Sequence, residues 1–198
     1  MLAIAALTFA AIFIVELPDK TFFAALMLAT RYKALNVWIG VSLAFSVQTL
    51  VAVAAGTVIS KLPSQWVHLG AGIGFLIGAG WLLYEGINSR KGSDDDTGEE
   101  YAEKAVAVAG WHQIGKSFLI LFAAEWGDLS QILTAVFVSK YHAPIPVFIG
   151  ALAALITVSG LAVLLGGQIT KVLRLHVLHF TSATLCTVLG IWTLATAF

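Results

Sequence analysis

Glu16-Leu17-Pro18-Asp19-Lys20-Thr21 and Glu125-Trp126-Gly127-Asp128-Leu129-Ser130-Gln131 are two versions of one motif, each set inside a long apolar run. In a continuous helix, a Glu and an Asp three residues apart project from one side, about 60° apart around the axis. An ionised carboxylate near the centre of a bilayer costs roughly 2.5–3.5 kcal/mol on insertion scales. Two such pairs in one small protein need a counter-charge, and a cation is the simplest one.

The surrounding composition agrees. The chain has 198 residues, 59% hydrophobic and 11% charged, a balance that belongs to membrane proteins. Its zero net charge hides a segregation. Asp94, Asp95, Asp96, Glu99, Glu100 and Glu103 share one polar stretch, Glu85 lies at the end of an apolar run, and the other four acids are the two motif pairs. No basic patch suited to nucleic acid is present. Cys186, the single cysteine, excludes an internal disulfide and reads as a small hydrophobe in an apolar run. The first run lacks a basic n-region and carries Glu16 and Asp19, so it reads as a retained span rather than a signal peptide.

A membrane span needs about 20 mainly apolar residues. Six stretches qualify, at 2–29, 35–59, 66–87, 114–138, 145–165 and 175–197. The fold class expected is therefore an all-α membrane protein with six transmembrane helices. The third stretch is rich in glycine (Gly70, Gly72, Gly74, Gly78, Gly80), which lets helix backbones approach closely in lipid. Residues 88–110 are too polar to fold alone, although 99–109 has the composition of a short surface helix.

The two halves resemble each other. Glu16, Asp19 and Thr21 align with Glu125, Asp128 and Ser130 at an offset of 109, as from 16 to 125, and Arg31-Tyr32 aligns with Lys140-Tyr141 at the same offset. After a one-residue slip, Val37-Trp38-Ile39-Gly40 matches Val147-Phe148-Ile149-Gly150, Gly56 matches Gly166, and Ile59-Ser60-Lys61 matches Ile169-Thr170-Lys171. Three is odd, so if the linker stays on one side of the membrane the second copy inserts upside down. The expected organisation is two inverted three-helix repeats, 1–89 and 113–198, joined by an acidic linker over 90–112. Inverted repeats are a transporter architecture, with the substrate site near the midplane at the repeat interface. Loop charges set the orientation. One side receives Arg31, Lys33, Arg90, Lys91, Lys104, Lys116, Lys171 and Arg174, and the other only Lys61 and Lys140. The first side is the expected cytoplasmic one, which puts both termini outside and the linker inside, in what reads as a bacterial inner (plasma) membrane.

Pro18 lacks an N–H and its ring clashes with the carbonyl of Ile14, so the first span is expected to kink or unwind near Glu16. Gly127 loosens the matching place in the second motif. Opposed across the repeat interface, Glu16, Asp19, Glu125 and Asp128 form an expected ring of four carboxylates, with oxygen support from Thr21, Ser130 and Gln131. Such an all-oxygen set suits hard divalent cations such as Mn²⁺, Ca²⁺ and Mg²⁺ rather than Zn²⁺ or Cu⁺. Four clustered carboxylates cannot all stay ionised without the metal, so metal and protons compete for the same oxygens and cation–proton exchange follows.

The paired E-x-G-D-[KR]-[TS] signatures on two three-span halves with an acidic linker resemble the Gdt/MneA family, over nearly the whole chain. That family contains bacterial manganese exporters and Golgi or chloroplast manganese/calcium transporters working as cation–proton exchangers. The resemblance implies a divalent-cation exporter whose metal-binding acids fall on Glu16, Asp19, Glu125 and Asp128, with hydroxyls at Thr21 and Ser130 and the glutamine at Gln131. Two positions depart from the pattern: Pro18 stands where glycine is usual, and Leu129 stands where lysine or arginine is usual. Lys20 is then the one cation among four acids.

Other side chains carry open alternatives. Lys20 either pairs with an acid or snorkels to the interface. Gln48, with Ser42, Ser46 and Thr49 in the second span, either supports the ion pathway or makes a helix–helix hydrogen bond. Trp126 is placed to wall the site, and the histidines lie near span ends. The expected function is Mn²⁺ export by cation/proton antiport, with a Ca²⁺/H⁺ antiporter of the same design and a passive cation channel as rivals. An intramembrane hydrolase using two carboxylates is the further rival, and the absence of a nucleophile motif argues against an enzyme. The partners expected are the divalent ion, protons and membrane lipid, in an assembly compatible with a homodimer; no cofactor is expected beyond the transported ions.

Overall fold

A computed structural model of the chain describes residues 1–17, 20–61, 63–89, 108–165 and 175–195, and among these the regular structure is entirely helical. Eight helices follow in order: α1 Leu2–Glu16, α2 Lys20–Arg31, α3 Ala34–Ile59, α4 Ser64–Ser89, α5 His112–Ala124, α6 Leu129–Tyr141, α7 Pro144–Leu165 and α8 Leu175–Ala195. They fall on the six apolar runs, because the first and fourth runs are each split into two helices.

The breaks lie at the motifs. Helix α1 ends at Glu16, and the following helix leaves at 69° to it; α5 and α6 are bent by 73° across Glu125–Asp128. Gly127 takes φ +79, a conformation that costs a residue with a Cβ roughly 1–2 kcal/mol, so the second break depends on glycine. Pro18 and Asp19 lie outside the described residues. The acids of the second motif therefore do not share one helix face at 60°, as a continuous helix implied: Glu125 caps the end of α5 and Asp128 caps the start of α6.

Among the described residues, α3 and α7 are long and apolar enough to cross a membrane alone, and each bent pair satisfies the same test when taken together. The apolar parts of α4 and α8 are shorter, at Leu69–Tyr84 and Cys186–Ala195. Pro144 opens α7 at the first helical position, where its missing N–H is harmless.

Helices α3 and α7 pack on each other at the centre, α1 lies along α7, and α5 lies along α3. The close approaches exchange between the halves. Gly40 of α3 sits against the backbone carbonyl of Ile114 and against Ser117 of α5, and Gly150 of α7 sits against the carbonyl of Ala5 and against Thr8 of α1. Helices α4 and α8 form a second, tightly packed pair, with Gly72 under Leu194 and Gly190 under Leu76. Of the glycines expected to serve close packing, Gly70 and Gly80 face open space instead. Cys186 is buried in that pair, as a small hydrophobe would be. Lys140, in the last turn of α6, lies 3.8 Å over the Trp192 ring and links α6 to α8.

Polar groups lock the start of α5. Gln113 Oε1 accepts from the Lys33 N–H (3.2 Å) and from Asn36 Nδ2 (2.9 Å), while its Nε2 donates to the Val108 carbonyl (3.0 Å). The surface helix expected at 99–109 lies outside the described residues except for Val108 and Ala109, which are not helical.

Candidate metal centre

Glu16 comes from the C-terminus of α1, Glu125 from the C-terminus of α5, and Asp128 from the N-cap of α6. Both glutamates are buried, at 1% and 2% exposure, and Asp128 is half-buried. Each offers a carboxylate oxygen, and these oxygens all lie within 4.8 Å of one another. Acids 109 positions apart in sequence thus meet in space. Asp19 and the Lys20 side chain lie outside the described residues.

The break between α5 and α6 is held by its own side chains. Asp128 accepts from the Ser130 N–H (3.4 Å), capping α6. Gln131 reaches back across the loop: its Nε2 donates to the Glu125 carbonyl (2.7 Å), and its Oε1 accepts from the Gly127 N–H (3.3 Å). Gln131 therefore staples the turn that carries both acids, with both ends of its amide engaged. Ser130 and Thr21 are both buried. Gln48 is buried and donates from Nε2 to the Phe122 carbonyl (3.0 Å), so α3 is hydrogen-bonded to α5 one turn before Glu125.

Trp126 does not wall the site. It is 60% exposed and its ring lies against Phe122, 5.0 Å between centroids. The left-handed turn at Gly127 swings the intervening side chain outward. Trp38, an exposed side chain, donates from Nε1 to the Ile156 carbonyl (3.1 Å), tying α3 to α7.

Two cavities flank the α5–α6 turn. The larger, about 990 Å³ with its open mouth, runs between α4 and α6 and is mainly apolar; Val15, Gly127 and Asp128 border it, and Leu129 projects into it against Gly78. The smaller lies on the other side of α6, toward α3, where Thr49 and Thr134 join Ser130 and Gln131. Thr134 went unnoticed in the sequence. Its signal is the spacing of four from Ser130, which puts both hydroxyls on one helix face, and its hydroxyl donates to the Ser130 carbonyl (2.7 Å).

The family model described as "Divalent cation/proton antiporter GDT1" matches residues 4–90 and 113–198. A GDT1-like protein of Synechocystis is 33% identical over 137 residues, covering 65% of this chain and 66% of its own length. The chloroplastic GDT1-like protein 2 of Oryza sativa subsp. japonica is 30% identical over 185 residues, covering 83% of this chain and 53% of its own length. The chloroplastic protein PAM71 of Arabidopsis thaliana is 30% identical over 205 residues, covering 94% of this chain and 55% of its own length. The chain spans about half to two thirds of the length of these relatives. No solved structure matches it. The family is one of transporters, not of enzymes.

Proposed function

The chain belongs to the GDT1 family of divalent cation/proton antiporters, and on that premise we propose that it exports Mn²⁺, with Ca²⁺ as the alternative cargo, in exchange for protons. Glu16, Asp19, Glu125 and Asp128 bind the ion and carry the protons. Thr21, Ser130 and Gln131 support the acids, Gln131 by closing the turn. The observation that carries this reading is the convergence of Glu16, Glu125 and Asp128 from opposite halves of the chain to within 4.8 Å.

The electrostatics lead from that geometry to exchange. Two like charges 4.8 Å apart repel by about 3–4 kcal/mol at an effective dielectric of about 20. Three carboxylates at that spacing, two of them buried and one half-buried, need positive charge among them, from a divalent ion or from protons. An ion entering displaces protons, and protons entering displace the ion. Carboxylate and hydroxyl oxygens without a histidine or thiol favour hard cations.

Two inverted three-span repeats, with the acidic linker cytoplasmic and both termini outside, give this site two routes of access in the plasma membrane. The exchanged contacts of Gly40 and Gly150 support the repeat, and the loop charges support the orientation. Alternating access then comes from one repeat rocking against the other around the acids. The test is manganese tolerance in cells lacking their own exporter. Wild-type chain restores tolerance, and Glu16→Gln and Asp128→Asn lose it. In vesicles, metal flux indifferent to an imposed pH gradient would overturn the antiport.

A further inference from the structure

The two sides of the α5–α6 turn differ in kind. The α4-facing cavity is wide and mainly apolar. The crevice on the α3 side is sized for about one water molecule and is lined by Gln48, Thr49, Ser130, Gln131 and Thr134. Phe45 and Leu155 complete its lining with apolar side chains.

The chemistry of the crevice is that of neutral oxygen acceptors. The Gln48 amide nitrogen is directed at the Phe122 carbonyl, and the Thr134 hydroxyl proton at the Ser130 carbonyl, which leaves their oxygen lone pairs to face an occupant. Thr49 is 2% exposed, and its hydroxyl has no hydrogen-bond partner among the described residues. A buried hydroxyl left so is costly, and it marks a place that something polar fills. The crevice meets the acids through Ser130, whose N–H donates to Asp128 Oδ2.

We propose that this crevice is a dehydrating passage for the transported cation, in which the oxygens of Gln48, Thr49, Ser130 and Thr134 replace water on an ion moving to or from the carboxylates. The inference rests on the reading that Glu16, Glu125 and Asp128 bind the cargo. A space of one water excludes an ion with its full hydration shell and admits one that has shed most of it. Neutral oxygens solvate such an ion without holding it as carboxylates do, which suits transit. The passage also discriminates by rate. Mg²⁺ gives up water reluctantly and demands near-ideal octahedral geometry, so it binds the acids and passes slowly.

The experiment uses the full chain in proteoliposomes, with Mn²⁺ and Mg²⁺ as probes and equilibrium Mn²⁺ binding measured in parallel. Thr49→Val removes the hydroxyl at nearly constant volume, and Thr49→Ser keeps it. Turnover of Mn²⁺ is expected to fall about tenfold to a hundredfold in Thr49→Val with binding unchanged, and to recover in Thr49→Ser. Wild-type chain, needing no variant, is expected to bind Mg²⁺ at the Mn²⁺ site and to turn it over much more slowly. Wild-type turnover in Thr49→Val, or equal turnover of Mg²⁺ and Mn²⁺, overturns the passage and leaves a crevice that holds water only. Parallel loss of binding and turnover in Thr49→Val overturns it too, by making Thr49 part of the primary site. Mn²⁺ binding that survives Glu125→Gln defeats the carboxylate reading instead, and the passage with it.

Discussion

Alanine at Gly40 or Gly150 tests the packing that brings the two halves' acids together. A Cβ on Gly40 would run into the Ile114 carbonyl and come 2.9 Å from Ser117 Cβ; on Gly150 it would run into the Ala5 carbonyl and come 3.0 Å from Thr8 Cβ. Carbon atoms in contact rest at about 3.5–4.0 Å, so one helix must withdraw by roughly 1 Å. Overpacking of this kind costs about 1–3 kcal/mol, and the obstacle here is backbone, which places the cost in the upper part of that range. At about 2–4 °C per kcal/mol for a chain of this length, Tm in detergent should fall by about 4–12 °C in either variant. The helix that withdraws is α5 or α1, each of which carries a buried glutamate at its C-terminus. Metal transport should therefore drop further than the loss of folded protein accounts for. Gly80→Ala and Gly70→Ala are the controls, because nothing lies within 4 Å of a Cβ at either position. Helix propensity alone favours alanine there by roughly 0.5–1 kcal/mol, so these variants should melt no lower than wild type. Thermal unfolding followed by fluorescence-detected size exclusion reads all four. If Gly40→Ala and Gly150→Ala melt with wild type, or the controls fall as far, the close approach of α5 to α3 and of α1 to α7 is refuted.

Further outcomes separate binding from architecture. Asp128→Asn keeps an effective helix cap and loses the charge, so transport should vanish with little change in Tm; Asp128→Ala should lose transport and about 1 kcal/mol of stability besides, roughly 2–4 °C in the same melt. Gly127→Ala must hold a left-handed conformation and should cost about 1–2 kcal/mol in stability, with transport falling as the turn between the acids opens. Gln113→Ala removes the acceptor for the Lys33 N–H and Asn36 and should destabilise the chain by about 1–3 kcal/mol, while the metal affinity of the folded fraction stays at the wild-type value. Gln131→Ala releases both ends of the α5–α6 turn and should weaken metal binding; Gln131→Glu restores only the bond from Gly127 and should recover part of it.

Much of the site was legible because its signals are local. Pro18 and Gly127 mark where helices stop, since one lacks a donor and the other tolerates φ > 0, and the chain bends at both motifs. Gln131 was legible as an expected oxygen support for the acids but not as the staple of the turn, because its two bonds form only once the loop has closed. The outward placement of Trp126 depends on the backbone sign at Gly127, which residue spacing does not carry. Gln48 makes the helix–helix bond through its amide nitrogen, because the Phe122 carbonyl lies on another helix, and it also lines the crevice beside Ser130.

Residue order alone determined the helical class, the six apolar runs, the places where two of them break, and the acids that need a counter-charge. These follow from hydropathy, glycine and proline stereochemistry, and the cost of charge in lipid, all of which act within a few residues. Only the tertiary structure decided that α1 lies on α7 and α5 on α3, that α4 pairs with α8, and that Glu16 meets Glu125 and Asp128. The reason is that these helices are apolar on every side: Leu43, Leu50 and Val58 of α3 face outward while Val37 and Val41 are buried. Lipid and protein interior are equally apolar solvents, so partner faces are selected by close steric fit at residues such as Gly40 and Gly150, which hydrophobic patterning cannot specify.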